Sequence, residues 1–306
     1  GGTYDIDVAG QGLSGKDCLM ISDGAFDIVS GKDAIRSDNS EDEYRGYVYI
    51  AGGSFKIYSG ADAIYGCSLV NIEGGTFDIT TVKSADADSY KGIKSESMIT
   101  ITGGVFKIDA ADDGIHSDGD IVISNATISI RSDDDGIHAD ALAQIDSGVI
   151  SISAHEGIEA TYVLINGGDI SISATDDGIN AGQKVSTYTA TIEINGGYIT
   201  IDMGQGDTDA VDSNGYIYIN GGTLEINAQS PFDYDKGAEN NGGTIIVNGT
   251  QTDQISNQMM GGFGGMGGQG DPGFNNGDGN NWNPGGEEPS DSDRPGGMPD
   301  GYGGWH

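Results

Sequence analysis

Hydrophobic residues recur along this chain in short alternating bursts, not at helical spacing. One burst follows a Gly-Gly pair. It holds Tyr4 and Ile6, Phe26 and Ile28, Phe55 and Ile57, Phe77 and Ile79, and Phe106 and Ile108. Later copies carry aliphatic residues instead: Ile128 and Ile130, Ile150 and Ile152, Ile170 and Ile172, Ile199 and Ile201, Leu224 and Ile226, Ile245 and Val247. From the second glycine position, the eleven copies are spaced by 22, 29, 22, 29, 22, 22, 20, 29, 25 and 21 residues. A second burst, acid-small-Ile, lies between them at Ile35, Ile64, Ile93, Ile115, Ile137, Ile158, Ile179 and Val211, with Asp17-Cys18-Leu19 read as its first member. A third, such as Val48-Tyr49-Ile50 or Ile192-Glu193-Ile194, precedes most Gly-Gly turns. Period-two alternation puts every second residue on one face of a strand.

Three short strands per unit of about 22 residues describe one coil of a single-stranded parallel β-helix. A coil cannot bury its own apolar face, so coils stack and share a core. The fold class expected is all-β. The helix is expected over residues 1–250, with a Gly/Met/Asn/Pro-rich low-complexity tail or linker over 251–306. Longer intervals mark insertions at 36–46, 80–90, 182–188 and 203–207, expected on one side of the solenoid.

The position two before the repeated Ile holds Asp17, Asp33, Asp62, Lys91, Asp113, Asp135, Glu156, Asp177 and Asp209. Stacked in register, neighbouring carboxylates would stand about 5 Å apart and repel by roughly 3–4 kcal/mol at an effective dielectric near 20. Such a ladder calls for cations or protons. Ca2+ suits clustered carboxylates. The candidate ligands are Asp112, Asp113, Asp118, Asp134, Asp135, Asp140, Glu156, Asp176 and Asp177. The ladder is open to three uses, a staple between coils, a site that also meets a ligand, or a merely solvated acidic face. His116 and His138 lie one coil apart, but no Cys or third His joins them in a zinc set.

Composition narrows the function. Lys plus Arg number 13 against 48 Asp plus Glu, a formal charge of −35. So few cations cannot neutralise a phosphate backbone, which excludes nucleic acid. No stretch is long and apolar enough to span a bilayer. The chain begins at Gly1 without a leader, as a mature chain or excised domain would, and its acidic, cysteine-poor composition points to export. Cys18 and Cys67, about two coils apart, are expected as buried free thiols.

The Gly-Gly-x-Phe-x-Ile and Asp-Asp-Gly-Ile-His-x-Asp repeats resemble the pectate-lyase-like carbohydrate-binding domain family of bacterial surface and cellulosome-associated proteins. The resemblance covers roughly residues 1–250. It implies a right-handed helix, bound Ca2+, an extracellular place, and binding to plant cell-wall polysaccharide such as cellulose or pectic acid-sugars. It also implies kinship with polysaccharide lyases. A lyase needs a Lys or Arg beside the metal to take the C5 proton. The weak catalytic candidates are Lys94, Lys91 and Arg131; flanking carboxylates make Lys91 a poor base. Substrate-binding candidates are Tyr65, Lys94, His116 and His138, which share one column. Tyr47, Tyr49, Tyr58 and Tyr65 form a candidate sugar-stacking group. The reading is a Ca2+-dependent, extracellular polysaccharide binder without efficient catalysis. A lyase and a structural stalk or filament subunit that self-associates end to end are the alternatives.

Overall fold

The computed structural model describes residues 1–42, 44–84, 87, 89–204 and 208–257. These contain thirty strands and no helix. Each Gly-Gly burst is a strand with alternate residues buried, as in Ala25–Ser30 and Ser54–Ser59. Eleven such strands, from Thr3–Val8 to Thr244–Val247, pair in parallel as the first of three stacks. Their register is like on like: Tyr4 faces Phe26, then Phe55, Phe77, Phe106 and Ile128. The five rings stack at 4.5–4.9 Å with interplanar angles of 1–7°. Aromatic pairs ordinarily prefer offset or edge-to-face arrangements. Here the strand spacing sets ring spacing.

The acid-small-Ile bursts form the second stack, with Ile35, Ile64, Ile93, Ile115, Ile137, Ile158, Ile179 and Val211 in one buried file. The third bursts form the third stack, from Cys18–Ile21 to Gly237–Asn240. The strands Ile137–Ile145 and Ile158–Ile165 run through the corner between them and join both stacks in one 18-stranded sheet. The result is a β-helix-like solenoid, with three strands per coil around an Ile-rich core.

One sequence expectation fails at the first coil. Leu13, not Leu19, pairs with Ile35, so Gln11-Gly12-Leu13 is the first member of the second stack. Cys18 instead faces Tyr47 in the third stack. The spacing explains it: Leu13 precedes Ile35 by one full 22-residue coil, Leu19 by only 16. Asp17 therefore lies outside the ladder, ion-paired with Arg45 at 2.5 Å.

The turn into the first stack needs left-handed backbone at the second glycine, where φ is +123° at Gly53 and +117° at Gly75. A Cβ on Gly75 would meet the Gly53 carbonyl oxygen at 3.0 Å and the Phe77 ring at 3.1 Å. Beside these turns runs an amide ladder: Asn241 donates to Asn220, Asn220 to Asn195 and Asn195 to Asn166, at 2.9–3.0 Å.

Long connections fall at two corners. Residues 38–46 and 182–190 link the second stack to the third; 82–92 and 204–210 link the first to the second. They border both edges of the second stack, rather than collecting at one side. The two ends of the solenoid also differ. Thr250–Thr252 turns back antiparallel on Thr244–Val247, and Ile255 packs on the core. At the other end Thr3–Val8 pairs on one side only, leaving Tyr4 and Val8 exposed. Ordered chain thus continues past residue 250 to Asn257, which donates to the Tyr234 carbonyl at 2.7 Å. The chain divides into units 1–261 and 262–306; the tail expectation falls from 258 onward outside the described residues. No helix among the described residues is long and apolar enough to cross a membrane. Cys67 is buried, but Cys18 is only half-buried, because it opens an outward-facing row.

Phe77→Ala removes a buried inner ring of the stack and is expected to cost about 3–5 kcal/mol. Gly75→Ala, which forces a side chain into φ +117°, should cost about 1–3 kcal/mol. Urea denaturation midpoints of the two variants against the parent measure both.

Candidate functional site

The outer face of the second stack carries three parallel rows of polar side chains. The central row faces outward beside the buried Ile file: Arg36, Tyr65, Lys94, His116, His138, Glu159, Asn180 and Asp212. One flank is the ladder, Gln11, Asp33, Asp62, Lys91, Asp113, Asp135, Glu156, Asp177 and Asp209. Backbone bonds between coils hold it in register, such as Gly114 N to Asp135 O at 2.8 Å and Gly136 N to Glu156 O at 2.9 Å. The other flank holds Asp38, Cys67, Glu96, Asp118 and Asp140.

In the N-terminal coils the bases between the acid rows neutralise them. Arg36 bridges Asp33 (2.5 Å) and Asp38 (3.2 Å) and lies 4.7 Å over the Tyr65 ring. Tyr65 is buried and donates its hydroxyl to Glu96 at 2.5 Å. Burial and Glu96 push its pKa far up. Lys91 reaches Asp112 and Asp113, both at 2.9 Å. Burial opposes its charge, but the two carboxylates outweigh it and raise its pKa. His116 bridges Asp113 (2.7 Å) and Asp118 (2.8 Å). Burial disfavours the Asp113 carboxylate, yet His116 and Lys91 hold it well below the usual range. His138 stacks on His116 at 4.6 Å and meets Asp135 (2.5 Å), Glu159 (3.0 Å) and Asp140 (3.3 Å). Burial works against its charge, but Asp135 and Glu159 hold its pKa at about 10. Lys184, from the 182–190 connection, reaches Glu159 at 2.9 Å. Glu159 is pulled down to about 2: burial opposes this, and His138 and Lys184 prevail.

Beyond Glu159 the bases run out. Among the described residues no Lys, Arg or His pairs with Glu156, Asp177 or Asp212. Burial, then neighbouring carboxylates, pushes Asp177 up to about 6 and Asp212 to about 7. Burial likewise pushes Glu156 up to about 8, with Glu159, Asp135 and Asp177 adding to it. His155, Glu156 and Asp176 bring ligand atoms within 4.8 Å of one another, as do Asp112, Asp113 and Asp134. The set at Glu156 is the one that lacks a lysine.

At the opposite end of this face lies a cleft of about 390 Å3 lined by Lys32, Asp33, Arg36, Asp62, Tyr65, Ser89 and Lys94, among others. Asp62 is buried, accepts from Ser89 Oγ (2.7 Å) and Lys91 N (2.8 Å), and is pushed up by burial. Lys32 and Lys94 form no ion pair among the described residues; Lys94 stands 6.0 Å from the Tyr65 ring centre.

The sequence candidates thus divide. Lys91, Lys94, Tyr65, His116, His138 and the nine acidic candidates all belong to this face or its edges. Arg131 does not: it lies exposed on the first stack, paired with Asp109 at 3.3 Å. The tyrosine group also breaks up. Tyr47 and Tyr49 lie on the third stack, Tyr58 on the first and Tyr65 on the second, because one coil visits all three faces. Sequence reasoning missed Lys32, Glu159, Lys184 and Asp212. Two of these, Glu159 and Asp212, follow from register alone; Lys184 needs the path of an insertion.

A family model described as carbohydrate-binding domain-containing protein matches residues 1–136 and 118–210. Among solved structures, a polysaccharide lyase-like protein from C. thermocellum, solved as a gadolinium derivative, is similar to this chain. The identity is 20% over 76% of this chain and 89% of that one, with a TM-score of 0.44. A search of curated proteins finds no match.

The raised carboxyls make stability depend on pH. Glu156, Asp177 and Asp212 hold protons more tightly folded than unfolded, so the folded chain binds more protons between pH 4.5 and about 8. Stability therefore falls as pH rises through that window. Urea midpoints in chelator should decrease from pH 5 to pH 8, and Glu156→Gln with Asp177→Asn should flatten the slope.

Proposed function

We propose, for a chain that belongs to the carbohydrate-binding domain-containing family, that it binds acidic cell-wall polysaccharide along the outer face of the second stack, outside the cell. The coils are taken to wind right-handed, the hand that parallel β crossovers nearly always adopt. The observation that carries the reading is the cleft lined by Lys32, Arg36 and Lys94, of which Lys32 and Lys94 form no ion pair among the described residues. A chain of charge −35 repels polyanions over most of its surface. The Lys32 and Lys94 ammonium groups, the 82–92 connection at the rim and a hydrogen-bonding floor of Arg36, Asp62 and Ser89 suit a uronate carboxylate and its neighbouring hydroxyls.

Ca2+ belongs to the reading at the other end of the face. Glu156, Asp176 and Asp177 present hard oxygen donors, and burial, then the neighbouring carboxylates, raises Glu156 and Asp177 above the usual carboxylate range. A bound Ca2+ would displace protons from them and supply positive charge to a passing uronate. At Asp113 and Asp135 the protein's own Lys91, His116 and His138 already fill that role, so these ligands are not proposed. No turnover is proposed either. Among the described residues no metal ligand set stands beside Lys94, and Lys91 is held charged between Asp112 and Asp113.

Retention on immobilised polygalacturonate tests the reading. Lys32→Ala and Lys94→Ala should each weaken retention roughly tenfold, the effect of losing about 1.4 kcal/mol. Chelator should weaken it while circular dichroism stays unchanged. Incubation with polygalacturonate should give no ultraviolet-absorbing unsaturated product. Full retention by the double lysine variant would sink the proposal.

A further inference from the structure

The outward face of the third stack holds a second arrangement. Tyr162 and Tyr216 occupy one row two coils apart, about 10 Å, with Thr191 between them. Tyr188, carried in by the 182–190 connection, sets its ring 5.6 Å from Tyr162, tilted by 56°. Tyr218, in the next row beside Glu193, stacks 5.8 Å from Tyr216 at 16°. The hydroxyl of Tyr162 donates to Glu193, and Asn220 Nδ2 donates to the other Glu193 oxygen at 3.2 Å. Burial, Glu193, Tyr218 and Tyr188 all push the Tyr162 hydroxyl upward, so the four groups converge. Tyr188 is exposed and the other three tyrosines are half-buried.

We propose that this tyrosine patch is a second glycan site, for a neutral pyranose chain lying along the solenoid axis. The inference rests on the carbohydrate-binding reading and adds a separate place and ligand class. Pyranose rings present C–H faces that pack on aromatic rings and a rim of hydroxyls that need polar partners. Tyrosine offers both from one side chain. Rings from coils seven, eight and nine give an apolar track, and Glu193, Asn220 and Tyr162 stand beside it as hydroxyl partners. The charge decides the class. Glu193 and Glu239 flank Tyr218 in its row, and among the described residues the one cation placed against these rings is Lys236, 5.6 Å from the Tyr216 ring centre. That balance disfavours a polyanion and leaves a neutral glycan.

The test uses the full chain in Ca2+ buffer with cellohexaose, xylohexaose and mannohexaose as neutral probes and polygalacturonate as the anionic control, by titration calorimetry. At least one hexasaccharide should bind. Tyr188→Ala and Tyr218→Ala should each weaken it roughly tenfold or more, the size expected for losing a stacked ring, and leave polygalacturonate binding unchanged. Lys94→Ala should show the reverse pattern. If Tyr218→Ala melts early, Tyr188→Ala, in a connection outside the core, decides. The proposal is overturned if no neutral probe binds the parent, or if binding survives in the Tyr188→Ala chain. Equal loss of both ligands at unchanged melting temperature also overturns it. Loss of polygalacturonate binding from the parent alone would sink the acidic-glycan reading and leave this one standing.

Discussion

Parallel hydrogen bonding between equivalent positions of successive coils puts like side chains on top of one another about 4.8 Å apart. For apolar residues this is favourable, and the core consists of files of Ile with one file of rings. For amides it is also favourable, because each Asn can donate to the one below, as from Asn241 down to Asn166. For carboxylates it is costly. The molecule meets the same constraint in two ways. In coils two to six a row of bases is slotted between two rows of acids. In coils seven to nine the acids crowd one another, and burial, then that crowding, raises Glu156, Asp177 and Asp212 toward neutral pH.

That difference divides one continuous face into a part that is rich in cations and a part that, among the described residues, has carboxylates without a paired base. In the proposed function, the metal ion and the anionic sugar are assigned to opposite ends of the face. Both ends stand within reach of the long connections, which enter at the corners on either side. The remaining coil corner, at the Gly-Gly turns, has no room for insertions. There the second glycine lies against the carbonyl of the coil below.

Much of this was legible in the residues. The Gly-Gly period marked the coils, and the Phe and Ile files followed from alternation, because a buried side chain must recur at fixed register. The central row of His116, His138, Lys94 and Tyr65 followed in the same way. The first coil was misread because Asp17-Cys18-Leu19 imitates the local pattern, while Gln11-Gly12-Leu13 lacks the acid; only interval length tells them apart. Repulsion within the ladder is weaker than its own acids imply, because Arg36 and the His side chains of the neighbouring row relieve it. The tyrosine patch could not be read from local spacing. Tyr162, Tyr188 and Tyr218 are brought together by two coil steps and the fold of a nine-residue connection, and neither is written in a short motif.

The ordering of charges along the face has an electrical consequence for the whole solenoid. Residues 1–125 carry nine Lys and Arg against 21 Asp and Glu; residues 126–257 carry three against 20. The solenoid of residues 1–257 has a charge asymmetry along its length, the N-terminal coils being its less negative pole. Near a polyanionic surface that asymmetry adds a torque to the net repulsion. The torque on the solenoid favours an approach with the first coils, and the basic cleft among them, toward the surface.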